Sequence, residues 1–182
     1  MLDHREASIK QDREVKITTR PIVLLTLVAA PVLMLLPLGH ATTATCTGTT
    51  SNAFVPTGPP TNVVIKQVNG FIIITENFGL CFTGDFNGDT QGTVTIIVNT
   101  STGNGIFFGQ NTFTGTVTTS SGSGSGTIFV PFAATFSAGS FEGPYTLHGG
   151  TSGLANLRGF GTIQGSLTTF VGTYTANLFT SK

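Results

Sequence analysis

The chain has 182 residues and balanced formal charge, but nine of its sixteen charged side chains fall within residues 1–20. The seven that remain beyond Thr42 (Lys66, Glu76, Asp85, Asp89, Glu142, Arg158 and Lys182) form no basic stripe, which excludes a nucleic-acid partner. All fifteen phenylalanines and an abundance of threonine and glycine lie in the same region, where good helix formers are scarce, so one all-β domain with a phenylalanine core is expected.

Residues 1–20 end in a basic run, Arg13, Lys16 and Arg20, followed by eighteen uncharged residues, PIVLLTLVAAPVLMLLPL, and then Gly39-His40-Ala41. A positive flank, an apolar segment and a small-x-small site read as a secretory signal occupying residues 1–41, with an unusually long basic n-region. An uncleaved anchor helix is the alternative, because eighteen apolar residues sit at the lower limit for spanning a bilayer. Either reading exports the domain, as a secreted or extracytoplasmic protein in the first case and a membrane-anchored one in the second. Any membrane association would run through that leader alone. Cys46 and Cys81 both follow it, so a disulfide between them is expected in an oxidising compartment. A buried Cys81 with a free Cys46 is the other possibility.

Residues 42–60 are rich in threonine, serine and proline and read as a linker or draped arm, with the barrel domain over residues 61–182. Val63–Val68 and Phe71–Thr75 flank Asn69-Gly70, the strongest short hairpin signal in the chain. Leu80–Phe86 and Gly92–Asn99 flank Asn87-Gly88-Asp89, which predicts a second hairpin, and Ile106–Phe108 follows the turn TSTGNG. Thr112, Thr114, Thr116 and Thr118 alternate with Phe113 and Val117, the pattern of a half-buried strand. The run Ser120–Gly126, SSGSGSG, reads as a long hairpin tip. Ile128, Val130, Phe132, Ala134 and Phe136 then face one way, as do Phe141, Tyr145 and Leu147 later. Seven glycines punctuate Gly143 to Gly165, marking a corner of a closed sheet, and Phe170–Phe179 is the last predicted strand. Roughly eight antiparallel strands with glycines at matching places inside them favour a closed barrel over a sandwich.

Several stretches together resemble a bacterial family of unknown function with an allene oxide cyclase-like barrel. They are Phe82 to Gly88, Gly105 to Gly115, Phe141 to Leu147, Gly150 to Thr162 (GTSGLANLRGFGT) and Gly172 to Tyr174. The resemblance implies an eight-stranded antiparallel barrel with a central lumen. Relatives in the wider fold include a plant oxylipin cyclase and the dirigent proteins, whose functional residues map onto no motif of this chain.

Signatures of catalysis are weak. His148-Gly149-Gly150 lacks the nucleophile elbow that accompanies such a motif in lipases, and strand parity turns His148 away from the apolar face. Asp85, Asn87 and Asp89 have calcium-loop spacing, but Thr90 and Ile96 replace the glycine and glutamate that such a loop needs. No catalytic residue, metal or cofactor is expected. The candidate site is the barrel interior, with Phe132, Phe136, Tyr145 and Tyr174 as candidate ligand-binding residues. The two tyrosine hydroxyls need partners in an apolar lumen, either a ligand or a backbone carbonyl. The expected function is therefore an exported, non-enzymatic barrel that binds a small hydrophobic ligand or serves as a surface or matrix module. An isomerase or cyclase of the allene oxide cyclase-like type and a subunit of an extracellular assembly, including a homo-oligomer, are the alternatives.

Overall fold

The structure is a computed structural model that describes Cys46 and residues 51–181. The leader expected over 1–41 lies outside the described residues, as does most of the first part of the expected linker. Ten strands form one antiparallel sheet: β1 Ala53–Pro56, β2 Thr61–Val68, β3 Phe71–Thr83, β4 Phe86–Asn99, β5 Gly105–Thr119, β6 Gly122–Ser137, β7 Ser140–Leu147, β8 Leu157–Ser166, β9 Gly172–Tyr174 and β10 Asn177–Thr180. Strands β3 to β9 follow one another in space, and β1 pairs with both β9 and β3, closing an eight-stranded barrel.

The seam is narrow. Ala53 to Pro56 register against Thr83 to Leu80 on one side, while only Ala53 and Phe54 meet Thr173 and Gly172 on the other. Beyond this seam β2 pairs with the first half of β3, and β10 pairs with Leu157–Phe160 of β8. Strand β2 is exposed along its whole length, and among the described residues it pairs with β3 alone. Composition alone assigns residues 42–60 to a linker; within that stretch Ala53–Pro56 is instead the closing strand. Phe54, only 2 % exposed, anchors it by packing against Phe82 and Phe141 at 5.5 and 6.2 Å between ring centroids. Burying a ring of that size stabilises by about 2–3 kcal/mol.

The Asn69-Gly70 turn is as the sequence predicts, both residues having positive φ (47° and 82°), the type I′ geometry whose twist matches the strands. The second hairpin turns earlier than predicted. Its turn is Gly84-Asp85, and Asn87-Gly88-Asp89 belongs to β4. The arm decides this position: Asp85 N–H donates to Asn52 Oδ1, and Asn52 Nδ2 donates to Asp85 Oδ2, both at 2.8 Å. Gly84 (φ 101°) lies so close to Asn52 that a side chain there would collide with it.

Most of the SSGSGSG run is likewise strand rather than tip: β5 continues to Thr119 and β6 begins at Gly122, so only Ser120 and Ser121 form the turn. Hydroxyl pairs Thr116–Ser125 (2.8 Å) and Thr118–Ser123 (3.2 Å) hold its register. Its glycines serve packing. A side chain at Gly124 or Gly126 would run into the backbone of Gly153 or Thr151, where the 3-10 turn Ser152–Leu154 lies across the sheet and buries Leu154. Gly88, Gly115 and Gly126 also register with one another across β4, β5 and β6, a row without side chains where neighbouring backbone comes too close for a Cβ.

Cys46 and Cys81 are joined by a disulfide with 5.3 Å between their Cα atoms. Cys81 registers with Val55 of β1, so the bond tethers the arm next to the strand that closes the barrel.

Candidate binding site in the barrel lumen

Alternation along β3 points Ile72, Ile74, Glu76, Phe78 and Leu80 inward, and neighbouring strands add Thr90 and Val94 from β4 and Phe107, Asn111 and Phe113 from β5. At one end Phe82, Phe86, Phe113 and Tyr174 pack ring to ring, with neighbouring centroids 5.3–6.4 Å apart. Beyond this cluster the packed side chains leave part of the lumen unfilled. A cavity of about 80 Å³ remains there, with Phe78, Phe107, Phe132, Phe141 and Phe170 among its walls. A single buried water needs only about 10–15 Å³ by the same measure, so the space suits a small molecule rather than one solvent molecule.

Phe170 holds its place at a cost. Its φ of 53° is in the left-handed region, unfavourable for a bulky residue by about 1–2 kcal/mol. Contacts with Phe107 (6.2 Å) and Phe141 (5.8 Å) offset that strain and bring its ring to the cavity wall.

Three polar side chains are buried in this apolar interior: Glu76, Thr90 and Asn111. The Thr90 hydroxyl is fully engaged, accepting from Leu80 N–H (3.2 Å) and from Asn111 Nδ2 (3.4 Å) while donating to the Leu80 carbonyl (3.3 Å). Two buried oxygens have no hydrogen-bond partner among the described residues, Glu76 Oε2 and Asn111 Oδ1. Glu76 is 6 % exposed, faces Val94 across the ladder, and has no cation paired with it among the described residues; burial pushes its carboxyl from 4.5 up to about 6. A buried, unpaired carboxylate is expensive for a fold, and such anomalies concentrate at functional sites.

Of the four residues that the sequence puts forward, Phe132 and Tyr145 line the cavity. Phe136 packs beside Phe107 in the wall, and Tyr174 belongs to the ring cluster. Both tyrosine hydroxyls are satisfied by backbone. Tyr145 donates to the Thr175 carbonyl (2.7 Å), whereas Tyr174 donates to Thr83 O and accepts from Phe86 N–H, both at 2.9 Å. Burial raises both phenols, Tyr145 further still through Tyr174 and Asp85, and Tyr174 to about 12 even though the Phe86 hydrogen bond opposes the rise. Both phenols stay neutral.

Sequence parity alone does not single out Glu76, Thr90 and Asn111, although Glu76 falls in step with Ile72, Ile74 and Phe78. His148 lies on the outer face, 3.1 Å from the Thr146 hydroxyl. Cys46, Cys81 and Asp89 are the one cluster of metal-capable side chains among the described residues, and its sulfurs are spent on the disulfide.

No protein-family model matches the sequence, and comparison with curated proteins finds no match. Among solved structures, the barrel is similar to a protein of unknown function from the DUF3224 family of Shewanella oneidensis MR-1. The TM-score is 0.57 at 15 % identity, with 72 % of this chain and 95 % of the other covered. What the two share is the fold.

Proposed function

We propose that the chain is an exported barrel whose lumen binds a small, mostly apolar molecule. The observation that carries this reading is an unfilled aromatic cavity containing a buried carboxylate without a partner. Export is supported by the leader's sequence and by the Cys46–Cys81 bond, which persists in oxidising compartments. Titration of the full chain with toluene tests the lumen: the wild type binds it, and Val130→Phe, which places a ring in the cavity, binds at least tenfold more weakly. Equal binding by the two proteins refutes the reading, as does a wild type that binds neither toluene nor its hydroxyl-bearing analogue benzyl alcohol nor the charged analogues of the same ring size.

An isomerase or cyclase of the allene oxide cyclase-like type is the second reading. It is favoured by two titratable side chains, Glu76 and Tyr145, bordering one cavity, with Glu76 able to exchange a proton near neutrality. Recovery of a captured molecule unchanged after prolonged incubation favours binding, whereas a rearranged product favours the enzyme. A third reading, assembly with further copies, is supported by the open edge of β2, whose Val64 and Val68 share the outer face with Phe71 and Ile73. Light scattering tests it, and a strictly monomeric chain at high concentration counts against it.

A further inference from the structure

The hydrogen-bonding inventory of the lumen is one-sided. Among the described residues the side-chain donor atoms that reach it each have a partner: Asn111 Nδ2 gives one of its two N–H groups to Thr90, the Thr90 hydroxyl donates to the Leu80 carbonyl, and the Tyr145 hydroxyl to Thr175. The two atoms left without partners, Glu76 Oε2 and Asn111 Oδ1, are both acceptors. They project from neighbouring parts of one wall. Glu76 is on β3, opposite Val94 of β4, and Asn111 on β5 is opposite Gly92, two residues earlier on that same strand. The absence of a side chain at Gly92 leaves room for the Asn111 amide, because a Cβ there would collide with Oδ1.

We infer that the lumen selects an apolar, ring-sized molecule bearing a hydrogen-bond donor, a hydroxyl or a protonated amine, which seats against Glu76 and Asn111. An acceptor-only head such as a carboxylate leaves both oxygens unsatisfied, has only the second Asn111 N–H to receive it, and meets the Glu76 charge. A wholly apolar molecule fills the space but leaves both oxygens unsatisfied, at the cost that attaches to any buried polar group without a partner. A donor head supplies the missing proton to one or both oxygens, and its ring packs among Phe78, Phe132 and Phe170. An ammonium additionally neutralises the carboxylate, and its hydrogen bond is charge-assisted.

This inference rests on the lumen-binding reading, and four probes of one ring size separate the two. Toluene, benzyl alcohol, benzylammonium and benzoate are each titrated calorimetrically into the full chain at pH 8, where Glu76 is ionised. Benzyl alcohol and benzylammonium are expected to bind at least tenfold more tightly than toluene, with benzoate weakest. In Glu76→Gln, checked for its β spectrum by circular dichroism, the advantage of benzylammonium over toluene falls below threefold. Toluene or benzoate binding as tightly as the donor-bearing probes overturns the donor preference and leaves the lumen reading standing. Failure of all four to bind overturns the lumen reading, and the preference with it.

Discussion

Replacing Glu76 with glutamine removes a charge the fold buries without a partner, and the consequence for stability follows from the carboxyl's titration. In the folded protein this group titrates near 6, against 4.5 for the unperturbed side chain, and burial is the cause. Below about pH 4.5 the carboxyl is protonated in both states and makes no difference. Between 4.5 and 6 the unfolded chain releases its proton first, so stability falls as pH rises, and above 6 the loss is constant. A shift of about one and a half units corresponds to at most about 2 kcal/mol, reduced by whatever water enters the cavity and screens the charge. Glu76→Gln should therefore match the wild type near pH 4 and exceed it at pH 8, by up to about 2 kcal/mol or roughly 4–8 °C in melting temperature. Melting curves of both proteins, followed by circular dichroism at half-unit steps from pH 4 to 8, measure the difference directly. Parallel curves, or a variant less stable at pH 8, would mean that Glu76 has a compensating partner and is no anomaly.

Three further outcomes are expected. Cys46→Ser or Cys81→Ser opens a crosslink with a sequence separation of 35, and in the chain-entropy model this lowers stability by about 3–4 kcal/mol, measurable by urea titration against the oxidised wild type. Phe54→Ala empties the centre of the four-residue closing strand and should cost about 3–5 kcal/mol; hydrogen exchange should then quicken in β9 and in the last residues of β3 while β4 to β6 stay protected. Ala138 occupies the first position of a tight turn with φ 49°, ahead of Gly139 at 80°, so Ala138→Asn, suited to that geometry, should raise stability by about 0.5–1 kcal/mol in the same titration.

Elements whose signal is local were legible in the chain. The Asn69-Gly70 hairpin needs only two residues that tolerate positive φ between β-branched runs, and the inward sets Phe113/Val117 and Phe141/Tyr145/Leu147 follow from a period of two. Elements set by distant partners were not. The Gly84-Asp85 turn depends on Asn52, and the serine-glycine run is a strand because the 3-10 turn at Ser152–Leu154 packs over its glycines. Glu76 shows the same division within the site. Its parity with Ile74 and Phe78 could have placed it inside, but a carboxylate ordinarily faces water, and only the neighbouring strands reveal that no cation among the described residues meets it.

By itself, then, the amino-acid sequence determined the all-β class, the closed barrel with its phenylalanine interior, and the pairing partners Cys46 and Cys81, because composition and alternation are properties of each strand taken singly. Only the tertiary structure decided that Ala53–Pro56 closes the wall, that Tyr145 and Tyr174 spend their hydroxyls on backbone, and that Glu76 and Asn111 keep unpartnered oxygens in an open cavity. Hydrogen-bond satisfaction and unfilled volume are relations among residues far apart in the chain, and they exist only once the sheet has closed.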